Sequence, residues 1–177
     1  MEKKNIRNTP PEELTEFLCS HGEKAFRAKQ IYQWIWQKGV HSFDEMSNLS
    51  KGVREQLAAA FYFDNLRAGR IQTATDGTTK TAWELHDGQF VESVLIPGKN
   101  KYTVCVSSQV GCQLGCRFCA TGTLGFKRNL SAGEIFDQVV FAQKAAEERG
   151  STLSNIVFMG MGEPLLNYTN VLTAIKH

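Results

Sequence analysis

The sequence predicts an α/β fold: the start of a parallel βα array, preceded by a small helical domain and an antiparallel β linker. Three observations carry this. Residues 10 to 63 are patterned at the helical period. From Leu66 to Val106 the period becomes two, broken by Asp76-Gly77, Asp87-Gly88 and Pro97-Gly98. Beyond that the order is strand, loop, helix, strand, loop, helix, the alternation that builds parallel sheets. The expected domains are therefore 1–65, helical; 66–98, an antiparallel linker; and 99–177, the parallel part.

In the first domain Thr9 is placed to cap a helix that begins Pro10-Pro11-Glu12-Glu13 and carries Leu14, Phe17 and Leu18 on one face, with Gly22 as its stop. Cys19 is expected to pack inside. A second helix over Lys24 to Lys38 spaces Ile31, Trp34 and Ile35 on one side, with Tyr32 and Trp36 widening it, and Gly39 ends it. A third follows Ser50, with Val53, Leu57 and Phe61 in phase. Lys24, Arg27, Lys29, Lys38, Lys51 and Arg54 near Tyr32 and Trp36 fit an RNA-facing surface, where cations meet phosphate and rings stack on bases. The alternative is that Trp34 and Trp36 are core and the lysines solvated.

The meander alternates through Ile71, Thr73 and Thr75, returns over Lys80 to Leu85, and runs again over Gln89 to Ile96. Glu92 stands in the apolar strand FVESVLIP; most such glutamates face water. A strand from Lys101 to Ser107 then leads into QVGCQLGCRFCATGTLGF. Ser131, with Glu134 three residues on, forms a capping box for a long helix ended by Gly150. Asn155 to Met159 reads as a strand covered on both faces and runs into Gly160-Met161-Gly162-Glu163-Pro164, with a last helix after Asn167.

The 177 residues are 42% hydrophobic, enough for a core, and carry a formal charge of +2. Before Ile71 there are 11 basic and 9 acidic residues, and 9 of each after it, so any RNA contact must come from local patches. No apolar run approaches the roughly 20 residues of a membrane span, and the N-terminus does not read as a signal peptide. A cytoplasmic, reducing location is expected, with thiols free for metal.

Cys112, Cys116 and Cys119 form a C-x3-C-x2-C run among Gly111, Gly115, Gly122 and Gly125. A structural zinc site wants four ligands, and no second C-x2-C or H-x3-H pair exists; three thiolates would make a catalytic zinc a poor Lewis acid. A 4Fe-4S cluster with one iron left open accounts for three cysteines best. Two alternatives stay open: an electron carrier using Cys105 as fourth ligand, and a zinc-bearing RNA-binding module.

The C-x3-C-x2-C run resembles the signature of the radical S-adenosylmethionine (SAM) enzymes, whose fold is a partial (β/α) barrel with the cluster loop after its first strand. MGMGEP resembles the glycine-rich turn that meets the SAM amino group after the second. FRAKQIYQWIW, FVESVLIP, CVSSQVGC, GCRFCATGTLGFKRNLSAGEI and VFMGMGEPLLNY together resemble one branch, the RlmN/Cfr-type 23S rRNA adenine methyltransferases, and the RlmN-like group first; a C8-directed Cfr-type activity is the alternative.

The resemblance implies that Cys112, Cys116 and Cys119 hold the 4Fe-4S cluster and that Gly162 and Glu163 contact SAM. It also implies that Cys105 is a resolving cysteine and Glu92 the acceptor of the adenine C2 proton. In the family a SAM-derived methyl group is carried on a cysteine, activated by a radical made from a second SAM, and passed to the base. That methyl-carrying cysteine lies near the family's C-terminus, past residue 177, so the chain is expected to be an N-terminal fragment unable to finish methyl transfer alone. The partners implied are 23S rRNA, with tRNA a further candidate, and an electron donor such as flavodoxin. From the residues alone, Cys105 also has the reading of a small buried hydrophobe in a strand.

Overall fold

The computed structural model describes residues 3–177. The chain forms two compact units, one ending at Asp64 and one running from Asn65 to Lys176.

In the first unit, β1 (Lys4–Asn5) pairs in parallel with β2 (Phe61–Tyr62). Helix α1 (Pro11–Ser20) starts behind Pro10, with Glu12 and Glu13 at its positive end. Thr9 does not cap it; its hydroxyl donates to the Asn5 carbonyl at 3.0 Å. Leu14 and Leu18 are buried, but Cys19, expected inside, is exposed. One position beyond Leu18 turns it by about 100° off the buried stripe.

Helix α2 (Phe26–Tyr32) gives way to a π-helical turn over Gln33–Gln37 instead of running on as one α-helix. There the Lys38 amide donates to the Gln33 carbonyl at 3.1 Å. The widened turn lets consecutive Ile35 and Trp36 both face inward, where both are buried. Helix α3 (Lys51–Ala60) follows Ser50 as expected, and the Ser50 hydroxyl caps it by accepting from the Val53 amide at 3.3 Å.

The second unit is built on one five-stranded sheet, in the order β3 (Arg67–Thr73), β4 (Thr79–Glu84), β5 (Phe90–Pro97), β6 (Tyr102–Cys105) and β9 (Leu153–Val157). The segment read as a linker, 66–98, supplies three of these strands. Because β5 pairs with β6 from Val94↔Cys105 to Pro97↔Tyr102, meander and first parallel strand share one ladder. Between β6 and its parallel partner β9 lie a ribbon of β7 (Gln109–Gly111) and β8 (Phe126–Asn129), the one-turn helix α4 (Ala120–Thr123) and the long helix α5 (Ala132–Glu148). Helix α6 (Tyr168–Lys176) closes the unit.

Strand β9 departs from expectation. It starts two residues earlier, lies at the sheet edge with β6 as its neighbour, and leaves Ser154, Asn155 and Ile156 exposed. A parallel strand is buried on both faces only when neighbours flank it and layers cover it. Here one flank is open.

The two faces of the sheet differ. Trp83, Val91, Leu95 and Val104 are buried on the face that meets α5, where Trp83 stacks on Phe141 at 4.8 Å between ring centres and donates from its indole nitrogen to Ser93 Oγ at 2.7 Å. The register places Lys80, Glu92, Val94, Cys105 and Val157 on the other face, and all five are only half-buried. That face is open to a ligand.

Arg128, on β8, ties the ribbon to the sheet. It donates to both carboxylate oxygens of buried Glu134 at 2.8 Å and to Asp87 in the β4–β5 turn at 2.7 Å. Glu134 also completes the capping box with Ser131. The Arg128 guanidinium holds the Asp87 carboxyl down from 3.8 to about 2. A depressed carboxyl stabilises the fold above its unfolded value, about 3.9, and loses that contribution as pH falls toward its folded value. Asp87→Asn is therefore expected to lower stability at pH 5 and to remove part of the decline between pH 4 and pH 2, seen by urea unfolding at each pH; parallel pH profiles for the two proteins would contradict the pairing.

Candidate cofactor and metal site

The site is assembled where β6 leaves the sheet. Just past Val106, the three residues Ser107, Ser108 and Gln109 are almost wholly buried although polar. Buried polar groups must find partners, and each of these does. From α5, Gln138 accepts from the Ser107 amide at 2.8 Å and donates to the Ser107 carbonyl at 3.1 Å. Asn167 donates to the Ser108 and Leu130 carbonyls, both at 2.8 Å.

These residues also receive the turn that follows β9. The Ser108 and Gln109 amides donate to the Met161 carbonyl at 2.8 and 3.2 Å, and the Gly160 amide donates to the Val106 carbonyl at 3.1 Å. The Ser107 hydroxyl accepts from the Met161 amide at 2.9 Å and donates to the Glu92 carbonyl at 2.5 Å. One side chain thereby joins β5, the exit of β6 and the glycine turn. The glycines are required: a Cβ on Gly160 would sit 2.7 Å from the Val106 carbonyl oxygen, and one on Gly162, at φ +96°, would lie 2.5 Å from Gln109 Cβ.

The cysteine loop springs from this junction. Gly111 has φ +74°, and a Cβ there would overlap the Gly125 carbonyl oxygen, so the two ends of the loop meet backbone to backbone. Cys112, Cys116 and Cys119 are free and half-buried. Cys119 precedes α4, and the backbone amides of Gly122 and then Thr121 lower its thiol, favouring the thiolate a metal requires. Phe118, 94% exposed, with exposed Leu114 and Leu124, makes an apolar rim that can keep water from a bound group.

Cys105 sits apart, on β6. Burial pushes its thiol up against an opposing hydrogen bond from the Met159 backbone, which suits a protonated thiol and not a ligand. Glu92 lies on the same open face, two residues along β5 from Val94, the partner of Cys105, and its carboxylate is 3.0 Å from Lys80 Nζ. Glu163 accepts from the Leu165 amide at 3.1 Å and so caps the short 3-10 turn Pro164–Asn167, while Gly162 docks on Gln109. Donor set, glycine-shaped loop and apolar rim fit a three-thiolate cluster, and the adjoining turn fits a ligand reaching over from it.

In the helical unit Trp36 is buried, as the core reading has it, and offers no face for stacking on a base. Trp34 is half-buried, donates from its indole nitrogen to Asn48 at 2.6 Å and carries Lys38 Nζ 3.6 Å from its ring centre. Tyr32 is half-buried and donates to the Thr9 carbonyl at 3.1 Å. Arg27 pairs with Glu23 at 3.6 Å and Lys51 with Glu55 at 3.7 Å.

Comparison with known proteins gives the lineage. Residues 4–62 match the family described as ribosomal RNA large subunit methyltransferase N-terminal domain. The chain is 53% identical over 176 residues to the probable dual-specificity RNA methyltransferase RlmN of Cytophaga hutchinsonii, covering 99% of this chain and 48% of that protein. The RlmN of Syntrophus aciditrophicus is 47% identical over the same length, with 50% of it covered. A crystal structure of a radical SAM methyltransferase from Sphaerobacter thermophilus superposes with a TM-score of 0.85 at 42% identity, over 98% of this chain and 51% of that one. The chain belongs to the RlmN family, whose amino-terminal half it matches. It spans about half the length of the curated RlmN relatives, and among the described residues no helix is long and apolar enough to cross a membrane.

Gly162→Ala should cost about 2 kcal/mol or more, from the left-handed backbone and the contact with Gln109 together. Urea unfolding measures it, and a loss under about 0.5 kcal/mol, the range of ordinary surface changes, would contradict the tight seat of the turn.

Proposed function

We propose that this chain carries the cluster-binding and SAM-binding part of a radical SAM methyltransferase that modifies C2 of an adenosine in 23S rRNA. One observation carries the reading: the three-thiol loop and the Gly160–Glu163 turn leave the same ends of two parallel strands, hydrogen-bonded to one another through Ser107 and Gln109. Open α/β sheets bind ligands at that end.

Adenine C2 lies between two ring nitrogens and is too electron-poor to attack the methyl of SAM directly. Bound 4Fe-4S would supply the electron that makes SAM a radical source, held by Cys112, Cys116 and Cys119. Gly162 and Glu163 orient the amino-acid end of SAM toward that loop. Glu92, on the open face with Lys80 beside it, takes the proton from C2. Cys105, one strand over on the same face, is the thiol that resolves the protein–RNA adduct: on losing its proton it bonds to the sulfur of the methyl-carrying cysteine, which the family places past residue 177, as that sulfur's bond to the transferred carbon breaks. RNA is the macromolecular partner, 23S rRNA first and tRNA second, with a one-electron donor such as flavodoxin; the setting is the cytoplasm.

Anaerobic reconstitution tests the reading. About four irons and four sulfides per chain are expected. Cys112→Ala, Cys116→Ala and Cys119→Ala should each abolish loading, while Cys105→Ala should leave it intact. SAM should change the EPR spectrum of the reduced cluster. Zinc without iron, a cluster that needs Cys105, or a spectrum indifferent to SAM would each overturn it.

A further inference from the structure

The geometry points to Gln109 as a positioning residue that sets the Gly162–Glu163 turn against the cysteine loop. This rests on the reading of those two segments as SAM and cluster sites. Gln109 is fully buried three residues before Cys112, and its carboxamide is used at both ends. Oε1 accepts from the Glu163 amide at 2.9 Å, and Nε2 donates to Asn129 Oδ1 on β8, the return strand of the loop, at 2.8 Å. Its backbone amide donates to the Met161 carbonyl at 3.2 Å, and its Cβ and Cγ fill the space that a side chain on Gly162 would need.

Among the described residues, Gln109 links the turn to the loop's return strand by hydrogen bonds at both ends of one side chain. Ser107 joins the turn to the strand β5, and Gln138 and Asn167 fasten backbone within the junction. Gln109 spans from the residue after Gly162 to the strand that closes the cysteine loop, so its length fixes the distance between them. A planar group offering one acceptor and one donor is what the span requires, and glutamine is the side chain of that reach which supplies both without placing a charge in a buried slot.

Two variants separate positioning from bulk stability. Gln109→Met keeps the length and roughly the volume while deleting both hydrogen bonds. Gln109→Glu keeps an acceptor for the Glu163 amide. The first measurement is amide hydrogen exchange by NMR on the cofactor-free chain. Gln109→Met should speed exchange at Glu163 by about tenfold, the equivalent of one modest buried hydrogen bond, with α5 amides unchanged; Gln109→Glu restores protection at a pH low enough to keep its carboxyl neutral, where it offers an acceptor and an O–H donor as glutamine does. Wild-type exchange at Glu163 in Gln109→Met, or equal acceleration throughout α5, overturns the proposal.

The second measurement uses the reconstituted chain. Gln109→Met should keep wild-type iron and sulfide content while the SAM concentration for half-maximal EPR change rises about tenfold. Iron loss in step with SAM affinity marks a merely structural role and overturns it, as does unchanged affinity. Should the wild-type cluster ignore SAM, it is the functional reading that fails, and the exchange experiment alone decides the role of Gln109.

Discussion

The second unit depends on satisfying three polar residues in a place that water does not reach. Where β6 leaves the sheet, Ser107, Ser108 and Gln109 enter the interior, and an unpaired buried donor or acceptor there costs on the order of 1–3 kcal/mol. Partners arrive from β5, α5, the turn after β9 and the segment before α6. Each bond fastens a different part of the fold to the same three residues. Little freedom remains for the loop that begins at Gly111.

That constraint ties the root of the cysteine loop to the glycine turn some fifty residues later, through Ser107 and Gln109. The thiols belong to an exposed loop that the protein alone packs loosely, while both its roots are fixed by backbone contact at Gly111 and by Arg128. A loop anchored this way can wrap a rigid inorganic group without dragging the sheet with it. The adjacent face stays unpacked, with Glu92 and Cys105 half-buried on neighbouring strands. One face packed as core and the other left open is a division an α/β sheet provides.

Much of this was legible in the residues. The switch of period at Leu66, the two Asp-Gly turns and the Ser131–Glu134 box located the meander and α5 to within a few residues. Cysteine spacing and MGMGEP singled out two segments that the fold joins through Ser107 and Gln109. What escaped depended on tertiary partners. Nothing local announces a π-helical turn at Gln33–Gln37, and the pattern alone left Trp36 open between a stacking ring and the core residue it is. Cys19 was misplaced because one helical step separates a buried from an exposed position. The meander reads as a linker until its pairing with β6 is seen, and the roles of Gln109, Gln138 and Asn167 exist only once remote backbone surrounds them. A run of uncharged polar residues, SSQ, directly after an apolar strand was the one available signal.

The central claim is that three thiolates hold a cluster whose remaining iron is open to SAM, beside a turn fixed for the ligand's other end. Mössbauer spectroscopy of the chain reconstituted with iron-57 addresses it most directly. The account predicts that adding SAM shifts one iron subsite away from the other three. Four subsites that stay alike with SAM in excess would contradict it.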